Sequence, residues 1–447
     1  MTNKPLAYLL GLRPRIVSVG SGALLALALV ACAHHSAGDG PGDDDDDGPS
    51  TCCDGSVAAA DGAAASPDGA APECTTQCVS DDGCCPSGCT APADNDCRAA
   101  GPSRLAVLDR DGTIRVWNDT TTLSDRAADM SIAPGGAERL SLAAYRDRLI
   151  VASEDAAHPL ALYDNYWTSA GAAAPADQIP VSVMTGTEAQ DHYGDEMRVG
   201  PGANLWVGNG RGVWLLKDGA SAGSSTAPGA YFTHEWQQLP SFAYDATGKR
   251  LVMGQISGAG VQVWNAPLDA AGGAHMADWT LDPQFPAWWV AIDSGRLYAG
   301  TADVEIWNDV TSLTSPTPSS LTLGVASGIP DSFINYMTAR RDVLMVSVDD
   351  SGPLSAVRKV NLYRGASALT GDRAPDQSLV DVNMRGPRKT YLDAKGTLYV
   401  LDGDSEVSAG PGGRGSLFIY DHALDAPVLR AHLTTGLTWP LDFVVVE

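Results

Sequence analysis

The chain has 447 residues, a formal net charge of −25 and a sequence pI near 4.5. An acidic surface of this size argues against nucleic acid and against an anionic membrane face as electrostatic partners. The length is enough for one large domain or two ordinary ones, so charge and length leave the fold open.

The N-terminus carries the pattern of an export signal. Basic residues precede a stretch at 16–30 in which every residue is apolar or small, and about 20 such residues are needed to span a bilayer. We therefore predict a signal peptide over residues 1–31. The sequence Leu29-Val30-Ala31-Cys32 resembles the lipobox of bacterial lipoproteins, which implies that the Cys32 thiol accepts a lipid. The alternative is an ordinary secretory signal that contains a cysteine.

Lipidation at Cys32 predicts a membrane-anchored protein of the cell envelope, because acyl chains supply hydrophobic anchoring. Ala33 follows the cysteine. By resemblance to sorting in some Gram-negative lipoproteins, the lack of Asp at this position favours the outer membrane or cell surface over the inner membrane.

Residues 32–72 are rich in Gly, Ala and Asp and include the acidic run Asp43–Asp47. Such a composition buries too little apolar surface to offset its ordering entropy, so we predict a disordered spacer. The alternatives for the acidic run are a calcium-binding tract or a surface-export tract.

Residues 73–98 form a cysteine-rich mini-module. Apart from Cys32 the cysteines are even in number, which in an exported chain predicts disulfide bonds of unknown connectivity. The segment resembles short cysteine-rich segments of myxobacterial secreted proteins. Zinc bound by thiolates with His34 and His35 is the alternative. These cysteines are Cys52, Cys53, Cys74, Cys78, Cys84, Cys85, Cys89 and Cys97.

A strand-like segment then recurs seven times over residues 103–447. Its apolar residues alternate with period two, it ends in an aromatic residue or leucine, and its copies lie 43 to 57 residues apart, the length of a four-stranded propeller blade. A second apolar strand precedes each copy. The seven segments are Ile114–Trp117, Leu160–Tyr163, Val213–Leu216, Val261–Trp264, Val304–Trp307, Val360–Tyr363 and Leu417–Tyr420.

The first unit lacks an inner strand, and the last residues, Leu441–Glu447, look like an inner strand without a partner. We predict that this C-terminal strand completes the first blade and closes an all-β, seven-bladed β-propeller. A six-bladed ring is the alternative, because the third and sixth units are long. An array of sandwiches is less consistent with units of nearly equal length.

The family resemblance lies in three sequence segments: Ile114–Asp125, Glu305–Thr314 and Leu362–Leu379. They resemble units of bacterial NHL- or YVTN-like propeller proteins, many of which are lipoproteins. The resemblance covers residues 103–447 and implies blade packing, without implying any chemistry.

The loops that lead into the inner strands should surround one mouth of the channel. Aromatic and charged residues recur there, which predicts a site for a protein, peptide or glycan. The alternative is that these aromatic residues plug the channel or pack between blades. Lys389 and Asp442 share this position, and the leading candidates are His192, Tyr193, Trp236, Trp288, Tyr336, Arg388 and Trp439.

One compact cluster has the composition of a metal site: Asp191, His192, Asp195 and Glu196. Carboxylates with one histidine suit Ca²⁺ or another divalent cation, and a solvated acidic loop is the alternative. The sequence contains no GxSxG, HExxH or phosphate-binding glycine motif. We therefore favour a non-enzymatic binding module, with a metal-dependent hydrolase or lactonase, which resemblance to other propellers permits, as the alternative.

Overall fold

A computed structural model of the chain describes residues 103–447 with short gaps. The predicted signal peptide, Cys32, the spacer and the cysteine-rich mini-module lie outside the described residues. Only the backbone is described at 139–140, 193–195, 333, 349–352 and 355–357. The gaps are 134–138, 154–156, 158, 169–170, 172, 185–192, 210, 234–240, 255–259, 282–286, 314–316, 325–328, 330–332, 353–354 and 404–414.

The described chain is almost entirely β-strand. The first fifteen strands are β1 (Arg104–Asp109), β2 (Ile114–Trp117), β3 (Met130–Ile132), β4 (Arg139–Tyr145), β5 (Arg148–Ser153), β6 (Leu160–Asp164), β7 (Asp177–Ile179), β8 (Tyr193–Gly200), β9 (Asn204–Asn209), β10 (Gly212–Leu216), β11 (Ala230–Thr233), β12 (Phe242–Tyr244), β13 (Arg250–Met253), β14 (Val261–Asn265) and β15 (Gly273–His275).

The second half continues the pattern. Its strands are β16 (Trp279–Leu281), β17 (Trp289–Asp293), β18 (Arg296–Gly300), β19 (Val304–Trp307), β20 (Leu321–Leu323), β21 (Phe333–Arg340), β22 (Val343–Gly352), β23 (Ser355–Arg364), β24 (Gln377–Val380), β25 (Pro387–Leu392), β26 (Leu398–Asp402), β27 (Ser416–Asp421), β28 (Val428–Leu433) and β29 (Pro440–Val446). One α-helix, α1 (Gly219–Ala222), is described. One-turn 3₁₀ segments lie at Tyr166–Thr168, Val181–Val183, Pro201–Ala203, Gly223–Ser225, Pro267–Asp269 and Ala366–Ala368.

These strands form seven sheets arranged as the blades of a β-propeller, which confirms the predicted fold. In each blade four strands pair antiparallel from an inner strand at the channel outwards to the rim, and the third blade has a fifth, parallel strand at its outer edge. From inner to outer, the blades are β29-β1-β2-β3, β4-β5-β6-β7, β8-β9-β10-β11-β15, β12-β13-β14-β16, β17-β18-β19-β20, β21-β22-β23-β24 and β25-β26-β27-β28.

The C-terminal strand closes the ring as predicted. Strand β29 pairs antiparallel with β1 from Arg104↔Val446 to Asp109↔Pro440. The six-bladed alternative is wrong, and the long units have local causes. The third contains α1 between β10 and β11, and the sixth contains the long hairpin of β22 and β23, which are ten residues each.

The inner strands give the channel two distinct ends. We call the end where inner strands begin, beside Trp439, the upper mouth, and the end where they finish, beside Glu447, the lower mouth. The inner strands are β29, β4, β8, β12, β17, β21 and β25.

Apolar side chains fill each seam between neighbouring blades. Seven separate clusters of buried side chains are present in the described chain, one for each seam. The aromatic residue that ends the third strand supplies much of this volume; Trp117, Trp264 and Trp307 are all at most 2% exposed. Period-two alternation directs one face of each sheet towards the preceding blade and the other towards the following blade, so both faces are apolar.

In four blades, an arginine at the start of the second strand contacts the next blade. Arg296 donates from Nη1 to the carbonyls of Ala366 and Leu369, both at 2.9 Å. Arg148 donates to the carbonyls of Ala220 and Ser221 at 3.1 and 2.9 Å.

The other two seam arginines act at equivalent positions. Arg250 donates to the Thr311 carbonyl at 2.6 Å, and the Arg104 guanidinium lies 4.0 Å from the Trp167 ring centroid. In all four cases the contacted group belongs to the loop between the third and fourth strands of the next blade. Three of the arginines therefore satisfy loop carbonyls at the rim of the seam, and Arg104 contacts an aromatic ring there.

One further link was not predicted. Strand β15 belongs to the loop between β14 and β16, yet it pairs in parallel with β11 of the preceding blade. It gives the third blade a fifth strand and covers its outer edge.

In the described part of the chain, no helix has the length and apolar character needed to cross a bilayer.

Candidate functional site

Two side chains of β8 form an ion pair on the inner strand. Glu196 and Arg198 are two residues apart, so they lie on the same face of the strand. Arg198 donates from Nη2 and Nε to Glu196 Oε1 at 2.6 and 2.9 Å. The side chains remain 20% and 28% exposed, so water reaches both of them.

A second ion pair joins the seventh and first blades. Lys389 Nζ on β25 donates to Asp442 Oδ1 on β29 at 2.6 Å. Asp442 Oδ2 also accepts the Leu142 backbone N–H at 2.8 Å, which ties the second blade to the same carboxylate. The Lys389 ammonium lies 5.6 Å from the Phe443 ring centroid.

An aromatic pair completes the set. Trp289 on β17 and Tyr336 on β21 have ring centroids 5.0 Å apart at an interplanar angle of 60°. The Trp289 indole donates to the Ile334 carbonyl at 2.7 Å. Both rings are half-buried, and Trp289 also packs against the apolar cluster between the fifth and sixth blades.

The channel set is Glu196, Arg198, Trp289, Tyr336, Lys389 and Asp442. Burial raises the pKa of Tyr336 above its usual range, Glu196 and Asp442 add to the increase, and Arg198 opposes it. Burial alone would lower the pKa of Arg198, but the Glu196 carboxylate holds it above its ordinary value. At neutral pH Tyr336 is therefore a hydrogen-bond donor and Arg198 is charged.

The upper mouth is organised around a buried carboxylate. Asp109 accepts the backbone N–H of Thr438 at 2.7 Å and of Trp439 at 2.6 Å. The Arg110 guanidinium lies 5.0 Å from the Trp439 ring centroid. The Trp439 ring is thus held by a cation–π contact and by a fixed backbone just before β29.

Two other predicted mouth residues are also fixed by their backbones. The Trp288 N–H donates to the Gly300 carbonyl at 3.1 Å. The Arg388 carbonyl accepts the Ser347 hydroxyl at 3.3 Å. Gly403 lies against Arg388, because a Cβ at that position would be 3.0 Å from Arg388 Nε.

Glu447 forms a contact network at the lower mouth. Its side chain accepts the Tyr391 hydroxyl at 2.7 Å and the Ala394 N–H at 2.8 Å. Arg340 and Arg341 approach the same carboxylate at 3.4 and 3.5 Å. These contacts link the end of the closing strand to the sixth and seventh blades.

The predicted site residues divide into two groups. Trp288, Tyr336, Arg388 and Trp439 are half-buried on or just before inner strands. Asp191, His192 and Trp236 lie outside the described residues, and the side chains of Tyr193 and Asp195 are not described. The binding role of all seven mouth residues stays a prediction.

Among the described side chains no group of three or more His, Cys, Asp or Glu residues could hold a metal ion. Of the predicted calcium or divalent-metal ligands, only the Glu196 side chain is described. Its partner is Arg198, which sequence reasoning missed. The signal was present in the spacing, because the two residues alternate on one strand.

Comparisons with known proteins add little. No family model matches the chain, and no curated protein matches it. Among solved structures, 687 chains match. One is the crystal structure of the computationally designed Ika8 protein, at 12% identity and a TM-score of 0.48, covering 77% of this chain and 88% of that one. A likeness at this level carries no argument.

Proposed function

We propose that this chain is a membrane-anchored, non-enzymatic binding protein of the cell envelope, whose propeller takes a protein, peptide or glycan ligand at the upper mouth. The observation that carries the proposal is the lining of the channel. Side chains from five blades combine two internally neutralised ion pairs with two half-buried aromatic rings. Convergent polar groups beside aromatic surface are typical of ligand sites.

The same lining gives less support to the metal-dependent hydrolase or lactonase. Glu196 and Asp442 are each hydrogen-bonded to a cation of the protein, at 2.6 Å in both cases. A divalent ion would have to compete with those cations for the carboxylates. The geometry of the described side chains therefore favours binding over metal chemistry.

A direct test screens the whole chain on peptide and glycan arrays. We expect binding that is reduced at least tenfold by Trp439→Ala and by Trp288→Ala, and unchanged by the rim substitution Val382→Ser. Native mass spectrometry with elemental analysis should accompany it. A stoichiometric divalent metal together with ester or lactone hydrolysis would contradict the proposal.

The anchor is a separate part of the proposal. It is supported by the resemblance of residues 29–32 to a lipobox and by the apolar stretch before them. Labelling with an alkyne fatty acid should modify the chain, and Cys32→Ser should abolish both the label and membrane recovery. A labelled Cys32→Ser chain would refute lipidation at this residue. Fractionation on a sucrose gradient tests the expected outer-membrane location.

A further inference from the structure

Several hydrogen-bonding groups of the channel set are not used by the protein. Arg198 donates hydrogen bonds to Glu196 from Nε and Nη2, and its Nη1 forms no hydrogen bond with any described residue. Lys389 donates one of its three N–H groups to Asp442. The Tyr336 hydroxyl forms no hydrogen bond within the described part of the chain. Three donors are therefore available to a ligand.

The channel set is electrically balanced. Arg198 pairs with Glu196 and Lys389 pairs with Asp442, so its two cations and two anions cancel. A charged ligand would therefore gain little net Coulomb energy from these four groups. An uncharged ligand can use the free donors without disturbing either pair.

Acceptors are available as well. Among the described residues, Glu196 Oε2 receives only a long contact from the Phe242 N–H, at 3.4 Å, and none donates a hydrogen bond to the Tyr336 oxygen. A hydroxyl group donates and accepts at the same time, so it can satisfy both kinds of unused group. A carboxylate or an ammonium can satisfy only one kind.

The remaining element of the set is apolar. The Trp289 indole N–H is already bonded to Ile334 and the ring packs in part against the cluster between the fifth and sixth blades, so its remaining surface offers a ligand apolar contact alone. Tyr336 lies beside it at 5.0 Å between centroids. A ligand with a C–H face on one side and hydroxyls around its edge would match this surface.

We propose that the ligand of the channel is an uncharged saccharide, which packs a sugar ring on Trp289 and donates and accepts hydrogen bonds with Arg198, Tyr336 and Lys389. This rests on the proposed binding function and narrows it to one ligand class.

The test uses the whole chain and immobilised neutral oligosaccharides of dextran, mannan, cellulose, chitin and galactan, with polygalacturonate as the acidic comparison and a peptide array in parallel. We expect at least one neutral saccharide to bind more tightly than polygalacturonate. Tyr336→Phe should weaken binding by roughly three- to tenfold, the worth of one hydrogen bond. Trp289→Ala should weaken it by roughly tenfold or more, and Trp289→Phe should restore most of it.

A matched control is Tyr145→Phe, which removes a hydroxyl from an inner strand at the lower mouth and should leave binding unchanged. Thermal unfolding of each variant separates lost binding from lost fold. Saccharide binding that survives both Tyr336→Phe and Trp289→Ala would overturn the inference, as would a preference for polygalacturonate. Peptide binding without any saccharide binding would overturn the inference while the binding function stands. Absence of binding to both the saccharides and the peptide array would overturn the inference and the proposed binding function together.

Discussion

The seams between blades and the lining of the channel are built in opposite ways. At the seams one device recurs: an apolar cluster for each interface, and an arginine at the same strand position in Arg104, Arg148, Arg250 and Arg296. In the channel set all six side chains are of different residue types. The seams repeat because every blade must solve the same packing problem.

This contrast shows where specificity is encoded in the ring. Side chains that recur at the same position in several blades reflect the packing of the ring. Positions at which the blades differ can instead be used to bind a ligand. Five of the six side chains of the channel set are only partly buried, whereas Arg296 is 9% exposed; Asp442, at 7%, is the exception. We therefore expect seam substitutions to cost stability and channel substitutions to cost mainly binding.

The largest effect should come from breaking the closing seam. A chain that ends at Trp439 lacks β29, including Phe443, which is 1% exposed and worth about 3–5 kcal/mol by itself. Total stability of a domain is only about 5–15 kcal/mol, so we expect this chain not to fold. Circular dichroism and solubility would measure the loss.

A permutant that carries residues 440–447 ahead of Ser103 supplies the control. Because Val446 pairs with Arg104, a short turn can join the two strands as a hairpin. We expect this permutant to fold. A well-folded chain without β29 in either position would refute closure by the C-terminal strand.

The next effect is at a seam arginine. Arg296→Ala leaves two loop carbonyls without their donor and should lower the free energy of unfolding by about 2–3 kcal/mol in urea denaturation. Arg126→Ala is the matched control, because Arg126 pairs with Asp129 on an exposed loop and such pairs contribute about 0–1 kcal/mol. Equal effects for the two variants would remove the distinction between seam and surface arginines.

A channel substitution should cost less stability. Asp442→Asn keeps an acceptor for the Leu142 N–H but loses the charge opposite Lys389, which is partly solvated. We expect a loss of about 1–2 kcal/mol in the free energy of unfolding, with Asp111→Asn as an exposed control. A loss larger than that of Arg296→Ala would contradict the ranking.

A smaller effect depends on pH. Burial of His432, which stacks on Phe418 at 4.1 Å, lowers its pKa, with Asp381 and Asp125 opposing. The folded chain then binds fewer protons than the unfolded chain, so stability is complete above pH about 6.5 and falls as the pH drops towards the lowered pKa. The loss should be under about 1 kcal/mol and absent in His432→Phe. Identical pH profiles for the two proteins would argue against it.

The smallest effect should be at the rim. Val382 is 96% exposed, and Val382→Ser should change stability by less than about 0.5 kcal/mol. Thermal unfolding is sufficient to measure this. A larger change would mean that the rim takes part in packing beyond the contacts described above.

Most of the ring was predictable from sequence because alternation and repeat length follow directly from blade geometry. The seam arginines could also have been identified from sequence, since an Arg-Leu pair begins the second strand in four units, at Arg104, Arg148, Arg250 and Arg296. Strand β15 was not, because three residues beginning with glycine carry no alternation.

The channel was predictable only in part. Tyr336, Lys389 and Asp442 were identified by their position before or on inner strands, since the repeat fixes that position. The partnership of Lys389 with Asp442 was not, because the two residues are far apart in sequence and only ring closure brings β25 beside β29. Glu196 was grouped with acidic neighbours, whereas its partner among the described side chains is Arg198.

Ring closure through β29 also gives the molecule a polarity. Strand β1 begins at Arg104 beside Val446 and reaches Asp109 beside Pro440, about 17 Å further along the strand. The described chain therefore enters the ring at the end that holds Glu447. Trp288 and Trp439 lie at the opposite end, so the length of the channel separates these two side chains from the point where the described chain enters the propeller.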